Sequence, residues 1–306
     1  MQSTAAIIGN AYRAGIVVPA FNVPYLPMVK PVVSAVVDLN SFALVEVARI
    51  EWLKFECRGP AAVMEEFARW SAPDHVRLHL DHIPAIDEDG VTVDYMPILR
   101  EAIDLGYHSV MVDGSLLDLE RNIEATRRAV ALAHAAGIPC EAELGAIARE
   151  GSGPQLPYEE LYETGMGFTN VEDAQRFVDE TGCDWLSVAV GNIHGAVSAA
   201  LKERKKTEAR LNLDHLDRLR QAAEIPLVLH GGSGVRRDDL LAAVKRGIAK
   251  VNVGFEIRQA YEQARGASGG DVPAARDAVY ERTCYLIQDY FGVAGTSPLV
   301  AGGGES

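Results

Sequence analysis

Three of the eight histidines in this 306-residue chain follow short apolar runs: His82 in LHLDH, His194 in GNIHG and His230 in VLHGGSG. They lie far apart in sequence and form no local zinc motif. A single histidine after an apolar run often serves only packing, so the weight falls on the set. Three imidazoles converging beside an open position describe a catalytic zinc site. His75, His79, His108, His134 and His215 fall in helical, strand-start or mid-strand contexts and are given no metal role. Asp81 immediately precedes His82. A carboxylate there can take a proton while a metal holds substrate oxygens, or it can orient the ligand. Asp113 in VDGS and Glu143 in EAELG close two further apolar runs. Each is a metal ligand, a support for one, or a polar plug. The turn Gly231-Gly232-Ser233-Gly234 precedes a helical pattern, so it either presents backbone N–H groups to a phosphate or is a plain tight turn. Asn252 reaches the substrate or satisfies polar groups inside the fold.

These residues converge only if the elements carrying them bring run ends to one rim. Apolar, β-rich runs at 16–23, 42–48, 76–83, 109–115, 139–147, 185–192, 226–232 and 250–256 alternate with helical patterns. One such pattern places Leu119, Ile123, Thr126, Val130 and Ala133 three or four apart and stops at Gly137. Others run over 171–181 and 238–246. Eight βα units in order predict a closed (β/α)8 TIM barrel, because parallel strands need crossovers and right-handed crossovers wind the sheet one way. An open doubly wound sheet lacks its usual support, since no GxGxxG follows the first strand. The expectation is one domain over 1–306, with the barrel at about 16–265 and a C-terminal helical extension over 266–306. That extension reads as a helix at 274–290 and a frayed VAGGGES tail. Residues 148–170 show weak periodicity after the fifth strand and are a lid candidate.

Composition narrows the classes. With 29 Lys+Arg against 43 Asp+Glu, the formal charge is −14, and no basic face is evident for nucleic-acid phosphates. The one basic run, at 202–206, reads as a solvated segment. No stretch reaches the roughly 18 apolar residues of a membrane span, and MQSTAAIIGN lacks a basic n-region, so a cytoplasmic location is expected. Cys57, Cys140, Cys183 and Cys284 sit in no CxxC spacing and read as reduced structural thiols.

Taken together the motifs resemble the class II, metal-dependent fructose-bisphosphate and tagatose-bisphosphate aldolase family. They are AFNV at 20–23, LHLDH at 78–82, VMVDGS at 110–115 with Glu120 and Asn122, EAELG at 141–145, AVGNIHG at 189–195, LHGGSG at 229–234 and KVNV at 250–253. The resemblance implies zinc held by His82, His194 and His230, and Asp81 as the acid/base in reversible aldol cleavage of a ketose through a zinc-stabilised enediolate. It further implies substrate or phosphate contacts at Asn22, Gly195, Gly231, Ser233 and Asn252, a monovalent cation (Na+ or K+) near the phosphate, and a homodimer or homotetramer. Ligand type alone does not separate Zn2+ from Co2+, Fe2+ or Mn2+.

The departures concern the substrate. Pro24-Tyr25 follows AFNV where the family has Asn, and Ala48 stands where a serine contacts substrate. Phe255 replaces a phosphate-holding threonine, and the lysine expected after the sixth-strand HG is absent from 196–200, although Lys202 lies nearby. The family's GGxED lid motif is missing, which leaves Glu150 as the proton-shuttling substitute. The expected enzyme keeps the metal chemistry and has a remodelled donor-phosphate pocket. Its substrate is a small sugar, phosphorylated in the first reading, non-phosphorylated or carboxylated in the second. One rival is a Schiff-base aldolase, which needs a desolvated lysine at a strand's C-terminal end. Lys250 reads as beginning the eighth strand, on the wrong face. The other rival is a non-catalytic barrel subunit.

Overall fold

The computed structural model describes residues 2–145, 148–149, 158–194 and 209–302. Its strands are β1 (Val18–Asn22), β2 (Ala43–Ala48), β3 (Val76–Pro84), β4 (Ser109–Asp113), β5 (Cys140–Leu144), β6 (Ala148–Arg149), β7 (Trp185–Val188), β8 (Ile193–His194), β9 (Leu227–Leu229) and β10 (Ile248–Val253). Eight close into a parallel barrel in the order β1-β10-β9-β7-β5-β4-β3-β2, while β6 and β8 form a separate two-stranded sheet. This is the (β/α)8 architecture. The helices are α1 (Thr4–Ala14), α2 (Val29–Asp38), α3 (Arg49–Lys54), α4 (Pro60–Trp70), α5 (Tyr95–Leu105), α6 (Leu119–Ala135), α7 (Tyr158–Thr164), α8 (Val171–Thr181), α9 (Leu213–Ala223), α10 (Arg237–Val244), α11 (Phe255–Ala267), α12 (Val272–Tyr285) and α13 (Ser297–Val300).

The apolar periodicity has two destinations. Outward-facing strand residues such as Val45, Leu78, Val112, Ala142 and Leu229 pack against helix residues such as Val32, Val63, Ala129 and Phe177 in the main core. Ile7, Ile8 and Ala11 of α1 join Val18, Phe42, Leu44, Trp185 and Val228 in a second cluster at the N-terminal end of the strands. Helix α1 thus stoppers the bottom of the barrel with hydrocarbon. Polar residues follow toward the C-terminal ends.

Four expectations need correction. Strand β10 begins at Ile248 and ends at Val253, so Lys250 lies in mid-strand and Phe255 opens α11. Several other strands are shorter than expected, as at β4, which ends at Asp113 before Gly114, and β7, which ends at Val188, whereas β3 runs one residue further, to Pro84. The interval 148–170 contains α7, which is too short to show a period; residues 150–157, including Glu150, lie outside the described residues. The C-terminal helix starts at Val272 and passes through a π-helical turn, Leu286–Phe291. Beyond it the chain docks rather than fraying at Val300, which is buried and whose carbonyl accepts from Asn10 Nδ2 at 2.9 Å. All four cysteines are free thiols, three of them buried. No helix among the described residues is long and apolar enough to cross a membrane. The basic run at 202–206 lies outside them.

Candidate active site

Side chains alternate along a strand, so residues two apart share a face. In this barrel the shared inner face carries His79 and Asp81 on β3, Glu141 and Glu143 on β5, Lys250 and Asn252 on β10, and Glu46 on β2. All seven are buried. The lower members form an ionic layer. Lys250 Nζ lies 2.9 Å from Glu141 Oε2 and 3.2 Å from Glu46 Oε2. Trp185 Nε1 donates to Glu141 Oε2 at 2.6 Å, and His79 Nδ1 lies 2.8 Å from Ser109 Oγ. Burial disfavours the Lys250 charge, but Glu141, Glu46 and Asp81 hold its pKa above the usual lysine value. Lys250 therefore stays an ammonium ion and is no nucleophile, whichever face it occupies. Burial, then Lys250, lowers His79 to about 3, so that ring is neutral.

The reactive layer sits above. Asp81 Oδ2 accepts from Asn22 Nδ2 at 2.9 Å and Oδ1 from Asn252 Nδ2 at 3.0 Å. Both carboxylate oxygens are thus aimed by side-chain amides. Burial pushes the Asp81 carboxyl up, yet His82, Lys250 and His230 more than offset it and hold its pKa below the ordinary value. His82 follows at φ +35°, a left-handed conformation that is strained for a residue with a Cβ. It falls where the β3–β4 register shifts, between Leu80 and Ile83. The irregularity lets two consecutive residues, Asp81 and His82, serve one site.

One ligand-type atom from each of Asp81, His82 and His230 lies within 4.8 Å of the others, and the same holds for His82, Asp113 and Glu143. The rings of His82 and His230 meet edge to face, 4.4 Å between centroids. His230 Nε2 sits 2.9 Å from Glu141 Oε1, which commits that nitrogen as donor and turns Nδ1 toward Glu143 Oε2, 3.1 Å away. Glu143 Oε2 is buried with no hydrogen bond among the described residues and is 3.8 Å from His82 Nδ1. Asp113 Oδ2 lies 3.3 Å from His82 Nδ1, while its Oδ1 accepts from the backbone and hydroxyl of Ser115. A carboxylate oxygen so placed between two imidazoles fits a divalent cation. Asp81, Asp113, Glu141 and Glu143 are buried carboxyls that draw positive charge to the mouth, where, against the effect of burial, Glu141 and Glu143 push the His230 pKa up and Lys250 lies beneath. Glu46, His79 and Asp81 form a third close group, but Lys250 already supplies the cation there.

His194 is in β8, its backbone paired beside Arg149 of β6; its side chain and Gly195 lie outside the described residues. The preceding Asn192 donates from Nδ2 to the His230 carbonyl at 3.0 Å, tying the two segments together. The glycine turn lies against β10. Gly231 adopts φ +69°, and a Cβ on Gly232 would meet Val251 Cγ1 at 2.0 Å. The Ser233 backbone sits in the 3-10 turn Gly232–Gly234, and its side chain is outside the description. The Tyr290 hydroxyl, set by the π-helical turn, reaches the carbonyls of Gly232 and Val235 at 2.7 and 2.6 Å. Phe255 offers no hydroxyl; the Arg258 guanidinium covers its ring at 5.5 Å and Phe55 at 5.0 Å.

Sequence reasoning missed Glu141, Glu46 and the role of Lys250. The available signal was polar residues two apart inside strands otherwise apolar. It also missed Glu51 of α3, whose buried Oε2 accepts from the Ala48 backbone N–H at 2.8 Å. Burial, with a further push from Asp81 against the Ala48 hydrogen bond, raises Glu51 from 4.5 to about 8. A carboxyl with a raised folded pKa contributes stability that is full below its unfolded value and is lost as pH rises through the folded value. Glu51→Gln stays neutral, so it should gain on the wild type between pH 4.5 and 8, by up to about 1.4 kcal/mol per pH unit. Urea unfolding at both ends of that window measures the gain, and a pH-independent difference would contradict it.

The chain is thus a (β/α)8 barrel whose C-terminal mouth collects imidazoles, carboxylates and a glycine turn. Its family is specific: the chain belongs to the fructose-bisphosphate aldolase class-II family, which it matches over residues 2–290. It is 41% identical over 165 residues to the uncharacterized protein YdjI of Escherichia coli K12, a match spanning 54% of this chain and 54% of that relative. Among solved structures, the YdjI aldolase from Escherichia coli K12 superposes with TM-score 0.73 at 27% identity, covering 97% of this chain and 99% of that one. A putative fructose-1,6-bisphosphate aldolase from Coccidioides immitis gives TM-score 0.75 at 25% identity, over 96% and 97% of the two chains. Fructose-bisphosphate aldolase from Campylobacter jejuni, 19% identical over 94% of each chain with TM-score 0.70, shares the fold.

Proposed function

We propose that this chain is a zinc-dependent aldehyde-lyase that cleaves and forms the C3–C4 bond of a ketose. The observation that carries this reading is Asp81, aimed by two amides, with a carboxylate oxygen within 4.8 Å of ligand-type nitrogens of His82 and His230. His82, His230 and, from β8, His194 would hold the metal, with Glu143 and Asp113 balancing its charge. When bound, the ion supplies Lewis-acid charge at the ketose carbonyl oxygen, an effect of several kcal/mol.

The chain's own residues account for the proton. In the cleavage direction Asp81 takes the C4 hydroxyl proton; the C3–C4 bond breaks, an aldehyde leaves, and its electron pair remains on the donor fragment. Asn22 and Asn252 keep both Asp81 oxygens aimed throughout. Glu150 is assigned the return of a proton to that fragment. The turn at Gly231–Gly234 offers N–H groups to a donor phosphate, with Ser233, Gly195 and a monovalent cation completing the expected set. Phe255 and Arg258 make an aromatic and guanidinium wall where the family uses a hydroxyl, which supports a substrate other than ordinary fructose 1,6-bisphosphate. The working form is assigned as a cytoplasmic homodimer or homotetramer of one barrel unit per chain.

The test is aldehyde release from a panel of ketose phosphates and free ketoses by zinc-loaded protein. Cleavage of a panel member, with fructose 1,6-bisphosphate turned over more slowly, is expected. Zinc binding without cleavage of any ketose would overturn the reading in favour of a non-catalytic barrel.

A further inference from the structure

Lys250 is a buried side chain whose contacts join the ionic layer to the reactive layer. Its ammonium, fully buried, meets Glu141 Oε2 at 2.9 Å, Glu46 Oε2 at 3.2 Å and Asn252 Oδ1 at 2.7 Å. Asn252 Oδ1 accepts a hydrogen bond from the ammonium, and the two carboxylates pair with its charge. The third contact decides an orientation. With its oxygen held by Lys250, the Asn252 amide can present only Nδ2 to Asp81, and it does so at 3.0 Å. Lys250 and Asn252 are two apart on β10 and their backbones are fixed by pairing with β1, Val18 to Lys250 and Ala20 to Asn252.

Stability does not explain this ammonium. A buried ion pair can often be replaced by hydrocarbon of similar volume without loss, because desolvation offsets much of the attraction. The apolar cluster beneath shows that this barrel can fill its interior with Val, Leu and Trp. The ion is instead placed where it aims an amide.

We propose that Lys250, anchored by Glu141 and Glu46, is a positioning residue that acts through Asn252 to hold Asp81 in its working orientation. The inference rests on Asp81 being the catalytic base, and its test has one arm that needs no turnover. In Lys250→Met the Asn252 amide loses the ammonium that holds its oxygen. A crystal structure of that variant is expected to show the Asn252 Nδ2 to Asp81 Oδ1 separation beyond about 3.5 Å, outside hydrogen-bond range. Retention of that contact in the variant overturns the inference, whether or not any ketose is cleaved.

The kinetic arm separates positioning from bulk folding. Lys250→Met should lower kcat about 10- to 100-fold, as small displacements at a reacting group do, with KM changed little. In an Asn252→Ala background the same substitution should cost less than about threefold, because the pathway through the amide is already gone. An equal loss in both backgrounds, or unchanged kcat in Lys250→Met, overturns the inference. If Lys250→Met does not fold, Glu46→Gln/Lys250→Met removes one stranded carboxylate, and the same structure and cycle are measured on it. A wild type that cleaves no ketose would instead sink the proposed function and leave the structural arm to decide on Lys250.

Discussion

Asp81→Asn should lower kcat by about 10²- to 10⁴-fold, the range expected when a positioned general base is removed, while zinc content and melting temperature stay near those of the wild type. The argument is geometric. Both Asp81 oxygens now accept N–H bonds, from Asn22 at 2.9 Å and Asn252 at 3.0 Å. An asparagine fills the same volume but turns a donor toward one of those donors, and it cannot take the C4 proton at any pH. His82 keeps its own contact with Asp113 at 3.3 Å, so loss of the charge at residue 81 leaves the neighbouring ligand set in place. Metal analysis beside steady-state kinetics checks both halves. Near-normal turnover would remove Asp81 from the mechanism, and coupled loss of zinc would make it a structural support.

The barrel was legible in the chain because its punctuation repeats: a β-rich run, a small or polar stop, then a helical period. The residues clustered at the mouth were legible where they stand at run ends, as with Asp81, Asp113 and Glu143. What escaped was set by tertiary contacts. Lys250 reads as a strand start only if the run begins at Lys250; pairing of β10 with β9 recruits Ile248 and Ala249 and moves the lysine to mid-strand, inside. Glu141 looks redundant beside Glu143 until His230 Nε2 is found on its carboxylate. Nothing local announces the positive φ of His82, because it arises from the shifted pairing of β3 with β4. The π-helical turn that brings Tyr290 under the glycine turn continues an ordinary helical pattern and leaves no mark of its own.

Removing divalent metal with EDTA should abolish aldol cleavage, with recovery on adding Zn2+ and, to different extents, Co2+ or Mn2+. Several kcal/mol of carbonyl polarisation correspond to about 10²- to 10⁴-fold in rate at 1.36 kcal/mol per decade. Chelation should also lower the melting temperature, because an ion bound only by the folded chain stabilises it by mass action, about 2.7 kcal/mol at a hundredfold excess over Kd. The direction follows from the carboxylates. Burial disfavours charge on His230, yet contacts with Glu141 and Glu143 push its pKa up to about 10, so the mouth draws positive charge to that point. The same experiment separates the two barrel aldolase chemistries. A Schiff-base enzyme would ignore EDTA and be trapped by borohydride in the presence of substrate. Lys250, the buried lysine nearest the site, is held as an ammonium by Glu141 and Glu46 and has no lone pair to offer a carbonyl. Activity that survives thorough chelation, together with a borohydride-trapped adduct, would overturn the metal reading and the assignment of His82 and His230 with it.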